Sequence, residues 1–231
     1  MIDFSLPDTM LGKQAEGLFE MAIHASESFE IKAANLQVQG ISETIGELDY
    51  ILKHKATNRF IHVELACKFY LFDKNIEGET TAKWVGPNRK DTLADKLHKL
   101  RKKQFPLLQT SETKEILREL ELTASEVQQQ VCIKAQLFIP KHISKNDLPA
   151  NYHNCIVGQW IRYPDFLSED TKATYYIPSK REWLLPVEEI TEWHSFVNTT
   201  SPVLELLNKK RSPLVYKKTG TSIERFFVVW W

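Results

Sequence analysis

Cysteine is scarce and unpaired in spacing. Cys67, Cys132 and Cys155 lie far apart, with no CxxC pair. That pattern argues against a disulfide framework and a cysteine-based zinc site, and it suits a reducing, cytoplasmic setting in which all three serve as small buried hydrophobes. Net charge is also missing. The 30 Lys and Arg balance the 30 Asp and Glu, so no global field directs the chain to nucleic acid, membrane or an acidic partner. Any such preference must come from local patches. No stretch is long and apolar enough to span a bilayer, and the closing FFVVWW reads as a buried last strand. The opening MIDFSLPDTM has neither a basic region nor an apolar run, so it does not read as a signal peptide. There is no phosphate-binding glycine loop, no G-x-S-x-G elbow and no HExxH.

What remains is an ordinary globular balance, 42% hydrophobic and 26% charged over 231 residues, enough for a real core. Pro7 and Asp8 precede a helical pattern from Met10 to about Ala25, with Leu11, Leu18, Met21 and Ala22 on one side. Strand patterns follow at FEIKAANLQVQG, at Ile45–Lys53 and at Phe60–Phe72. Glu77–Asn88 reads as a loop, Lys90–Gln104 and Glu112–Leu122 as helices, and VCIKAQLFIP as a strand buried on both faces. Beyond Lys141 the pattern changes to short aromatic strands at Cys155–Tyr163, Thr174–Ile177, Trp183–Leu185 and Phe226–Trp230. Helical pieces lie between them at Val187–Phe196 and Pro202–Lys210. The order predicts an α/β core over residues 1–140, with a mixed central sheet flanked by helices. An α+β extension over 141–231 packs on it.

The third strand carries the chemistry. Ile61, Val63, Leu65, Cys67, Phe69 and Leu71 form one apolar face, while His62, Glu64, Ala66, Lys68 and Tyr70 share the other. On the strand before it, Leu48, Tyr50 and Leu52 oppose Glu47 and Asp49. If the two strands pair as a hairpin, the Asp49 and Glu64 carboxylates converge beside Lys68. Ionised groups within a sheet are costly unless paired or metal-bound. A hard divalent cation, Mg²⁺ or Mn²⁺, would relieve that cost, holding water and phosphate oxygens on the same site. A nearby lysine could then position the water or stabilise developing charge.

Gly46-Glu47-Leu48-Asp49, followed by an apolar strand with Val63-Glu64, resembles the PD-(D/E)XK nuclease superfamily. The longer string is similar to an uncharacterised bacterial family assigned to that superfamily. It comprises NLQV from Asn35, GELD, ELACKFYL and WVGPN. The resemblance implies a restriction-endonuclease-like core in which Asp49 and Glu64 bind Mg²⁺ and Lys68 assists the water. It also implies that Glu16, in LGKQAE, adds a carboxylate from the first helix. The superfamily's lysine ordinarily falls two residues after the glutamate, where this chain has Ala66; Lys68 lies on the same face, roughly 7 Å farther along the strand.

The most basic stretch, Lys83–Lys103, follows directly and offers phosphate contacts, with Lys96, Arg89, Lys90 and Lys103 as the candidates. The expectation is metal-dependent hydrolysis of nucleic-acid phosphodiesters, DNA or RNA, with no membrane partner and the oligomeric state left open. The alternative is a catalytically impaired module of the same fold that binds nucleic acid or a protein.

Overall fold

The computed structural model describes residues 10–231, so Pro7 and Asp8 lie outside the described residues. Its elements run α1 (Leu11–His24), β1 (Phe29–Gln39), β2 (Thr44–His54), β3 (Phe60–Phe72), β4 (Trp84–Val85) and α2 (Leu93–Lys99). Helix α2 continues as a π-helical turn, Leu100–Gln104, into α3 (Phe105–Leu107) and α4 (Ser111–Glu119). The remainder is β5 (Val127–Pro140), β6 (Ile156–Arg162), α5 (Tyr163–Phe166), β7 (Thr174–Tyr176), β8 (His194–Ser195), α6 (Phe196–Asn208), β9 (Leu214–Thr219) and β10 (Ser222–Val229). Ten strands form a mixed sheet in the order β1-β2-β3-β5-β6-β10-β9-β7-β8, with β4 paired to β3. Helices flank it, and the fold is mixed α/β.

The chain divides into two compact units. One comprises residues 10–14, Lys68–Ala94 and Ala135–Trp231; the other comprises Ala15–Cys67 and Asp95–Lys134. Strands β3 and β5 run through both. The expected extension, 141–231, falls wholly in the first unit, together with segments of the expected core.

In the second unit β1, β2 and β3 form an antiparallel meander. Tyr50, Leu52, Ile61 and Val63 pack against Phe19 and Ile23 of α1. So α1 turns Phe19 and Ile23 inward, whereas Leu18, expected on the apolar side, is exposed. On the other side Val38, Leu48 and Ile51 meet Leu107, Leu108, Leu117 and Leu122. Leu48 therefore leaves the face of Tyr50 and Leu52. Both strands change face at the same place without a change of register: Ala34 and its partner Tyr50 lie in one cluster, Leu36 and its partner Leu48 in the other, on either side of Asn35 at a left-handed φ of 53°.

In the first unit β5 and β6, and β6 and β10, are parallel, and β10 returns antiparallel to β9. Phe69, Phe138, Trp183 and Phe227 pack edge and face around one another. A second cluster buries Phe166, Tyr175, Phe196, Val203 and Phe226.

Several expectations change in this half. Strand β9 was not anticipated, although Gly220 at φ 60° closes a two-residue hairpin after it. Trp183–Leu185 is no strand. Only Val187–Glu189 turns helically, and α6 starts at Phe196, where Ser195 accepts a hydrogen bond from the Asn198 N–H. Pro202, expected near the start of a helix, lies inside α6. Strand β5 begins at Val127, and apart from Val127 itself only its last four residues are buried. The three cysteines are half-buried rather than core residues.

Candidate functional site

Strands β2 and β3 pair from Lys53↔Phe60 to Tyr50↔Val63. One residue further, the carboxylate of Asp49 takes over: its Oδ2 accepts the Leu65 N–H at 2.7 Å. The acid is thereby fixed at the point where the ladder stops. Asp49 is half-buried, and burial is the main influence on its carboxyl. The neighbouring Glu64 charge adds to it, and the two outweigh the Leu65 amide and Lys96, which pull the other way; the pKa is pushed up to about 6. Asp49 stands one step beyond the Tyr50↔Val63 pair, close enough to Glu64 for that charge to act on it.

Glu64 has no solvent exposure. Its Oε1 lies 3.0 Å from His62 Nε2, and its Oε2 accepts a hydrogen bond from the Gln104 side-chain amide. His62 is likewise fully buried, and its Nδ1 lies 3.3 Å from the Gln129 amide nitrogen, which also donates to the Phe105 carbonyl at 2.8 Å. An amide nitrogen can only donate, so Nδ1 accepts and Nε2–H donates to Glu64. Burying a carboxylate without partners would be costly. Here both oxygens are satisfied, which explains how a glutamate occupies the core of β3. Sequence alternation placed His62 and Glu64 together but could not show that their face is as closed as the apolar one.

Gln104 reaches Glu64 from the π-helical turn Leu100–Gln104, whose Phe105 N–H bonds back to the Leu100 carbonyl. The widening stands immediately before Pro106, which has no N–H to continue an α-helical ladder. Lys96, one helical stretch earlier, donates from Nζ to Gln104 Oε1 at 3.1 Å. The amine tied to the carboxylate pair is therefore Lys96, reaching it through Gln104 and by its charge on Asp49. Lys96 had been expected among the phosphate contacts.

Lys68 is engaged elsewhere. Its Nζ donates to Asp91 Oδ2 at 3.1 Å within the first unit, and both side chains are partly exposed. Ala66, at the position where the superfamily carries its lysine, is buried. Glu16 is half-buried on α1. Its charge, like that of Asp49, acts on the Tyr50 hydroxyl, which donates to Glu20 Oε1 at 3.0 Å. Burial first, then the Glu20 hydrogen bond and these charges, hold the phenol well above its ordinary range. Glu20 was missed by the sequence reading, since one helix-surface glutamate looks like another without its tertiary neighbour.

Of the remaining basic candidates, Arg89 is committed to a buried Asp73 and stacks on Trp231, its guanidinium carbon 4.1 Å from the ring centre. Lys90 and Lys103 are exposed. Lys99, Arg101, Lys102 and Lys103 line the outside of the helical segment that carries Lys96 and Gln104, and all four are exposed. Among the described residues no group of three or more His, Cys, Asp or Glu is arranged to hold a metal ion, and no helix is long and apolar enough to cross a membrane.

A family model described as a domain of unknown function, DUF1853, matches residues 3–229. No curated protein and no solved structure matches the chain.

Proposed function

We propose that this chain, which belongs to the DUF1853 domain family, is a metal-dependent nuclease with a restriction-endonuclease-like core. Its site would centre on Asp49 and Glu64, with Lys96 rather than Lys68 as the working amine. The observation that carries the reading is two acids on adjacent strands, Asp49 held at about 6 first by burial and then by the nearby Glu64 carboxylate. Two facing carboxylate oxygens suit a hard cation that keeps most of its water and completes its shell with phosphate. Asp49 and Glu64 would hold Mg²⁺ or Mn²⁺, while Glu20 is engaged by the Tyr50 hydroxyl. Bound there, the ion would supply neutralisation of phosphoryl charge and a more acidic water.

The chain's own residues would do the rest. The Leu65 amide fixes Asp49, while His62 and Gln104 fix Glu64. Lys96 can move between Gln104 and a developing negative charge, the role expected of the superfamily's lysine. Lys99, Arg101, Lys102 and Lys103 offer an exposed cationic ridge beside it for a phosphate backbone.

The test is cleavage of labelled single- and double-stranded DNA and RNA by the full chain in Mg²⁺ and Mn²⁺. Glu64→Gln and Lys96→Ala should each lose on the order of 100-fold or more in rate, and Lys68→Ala should stay near wild type. Cleavage that persists in Glu64→Gln removes the assignment. Equal loss in Lys68→Ala, with Lys96→Ala unaffected, returns the lysine role to β3.

A second reading, a catalytically impaired module of the same fold, is favoured by one observation. Both Glu64 oxygens are already satisfied by protein side chains, as a purely structural acid would be. Nucleic-acid binding without cleavage, and no Mn²⁺ binding that depends on Asp49, would select it.

A further inference from the structure

The first unit contains a cavity of about 560 Å³, within the range of about 300–1,000 Å³ common for small-molecule sites. It has an apolar wall that includes Ile177, Trp183 and Leu206, and its rim carries Lys90, Lys180 and Arg211. The charge there is one-sided. Asp91 is the sole carboxylate on the lining, and it is already bound to Lys68. None of the three rim cations has a carboxylate partner among the described residues. Elsewhere in the same unit buried acids are matched: Asp73 by Arg89, and Glu169 by Lys141 and Lys217. Lys180 instead lies over the Trp183 ring, 6.0 Å from its centre.

One polar wall residue is also pre-set. The Ser212 N–H donates to Asn88 Oδ1 at 2.9 Å, which fixes the orientation of that amide and makes Nδ2 its donor end. Ser212 Oγ is itself held by the Pro87 carbonyl at 2.6 Å. Gly86 belongs to the same wall: a Cβ there would meet Asp91 Oδ1 at 2.3 Å, so the close seating of Asp91 requires glycine. A cavity with three unmatched cations, a fixed amide donor and an apolar side selects a ligand with an anionic head and an apolar body.

We propose that this cavity binds a small phosphomonoester of mononucleotide type, its phosphate among Lys90, Lys180, Arg211 and Asn88 and its ring against Ile177 and Leu206. Binding here is separate from any hydrolysis at Asp49 and Glu64.

The experiment is isothermal titration of the full chain with adenosine monophosphate, inorganic phosphate and adenosine. The monophosphate should bind at least about tenfold more tightly than either fragment, a gap of about 1.4 kcal/mol. The triple variant Lys90→Ser, Lys180→Ser, Arg211→Ser should weaken it by at least the same factor, because those side chains are exposed and the fold does not need them. Asn88→Asp keeps an oxygen for the Ser212 N–H but places a negative charge at the phosphate position, and should weaken it comparably with an unchanged melting temperature. Glu64→Gln should bind as wild type, which separates this site from the nuclease reading. Absence of monophosphate binding, equal binding of adenosine or of phosphate alone, or undiminished binding by the triple variant would each overturn the proposal.

Discussion

Burial and the Glu64 carboxylate together push Asp49 up to about 6 from an ordinary 3.8, and the sign of that shift has a consequence for stability. The folded chain holds a proton on Asp49 that the unfolded chain has already released between about pH 4 and pH 6. Stability contributed by this group is therefore present below that window, falls as pH rises through it, and stays at the lower level above about pH 6. Asp49→Asn removes the ionisation while leaving an oxygen for the Leu65 amide. In a buffer containing a chelator, the variant should melt several degrees above wild type near pH 7.5, and the gain should vanish by about pH 4. A gain independent of pH would show that ionisation of Asp49 is not its source.

At the scale of elements, β6 is an interior strand of the first unit. It runs parallel to β5 on one side and to β10 on the other. Gly158 is where its neighbours close in: an added Cβ would stand 2.5 Å from the Arg225 carbonyl oxygen and 2.6 Å from the Phe138 ring. Neither neighbour can yield cheaply, since one is backbone and the other belongs to the aromatic cluster with Phe69 and Phe227. Gly158→Ala should lower the unfolding free energy by about 1–3 kcal/mol, read by urea denaturation. Gly220→Ala, where φ is 60° and nothing lies near the missing Cβ, tests backbone strain alone. It should cost less, about 1 kcal/mol. Equal costs at the two glycines would contradict the packing argument at β6.

At the scale of the whole molecule, the two units are not consecutive in sequence, and β3 and β5 run through both. A cut near residue 140 would remove from the C-terminal part the strand that pairs with β6, from Leu137↔Ile156 to Pro140↔Trp160. It would also remove Phe69 and Phe138 from the aromatic cluster. A fragment of residues 141–231 should accordingly show no cooperative thermal transition by circular dichroism, whereas the full chain should. A sharply melting, monomeric fragment would mean that the C-terminal strands close a core of their own.

Much of this architecture follows from local pattern. Alternation and punctuation fix β1, β2 and β3 to within a residue, and the 3.6-residue period finds α1 and α4, because each signal is carried by neighbours along the chain. The juxtaposition of Asp49 and Glu64 was legible for the same reason: a short connection makes β2 and β3 a hairpin, and parity does the rest. Tertiary structure decided what parity cannot reach. Leu48 leaves the face of Tyr50 in step with its partner Leu36, next to Asn35 at a left-handed φ on β1. Glu64 is sealed by Gln104, forty residues away, through a π-helical turn that no period announces. Lys96 bonds Gln104, which holds Glu64, and Lys68 pairs with Asp91, partners eight and twenty-three residues away that strand parity does not reveal. Periodicity reports which way a side chain leaves its own backbone; its partner is determined by the packing of segments distant in the chain.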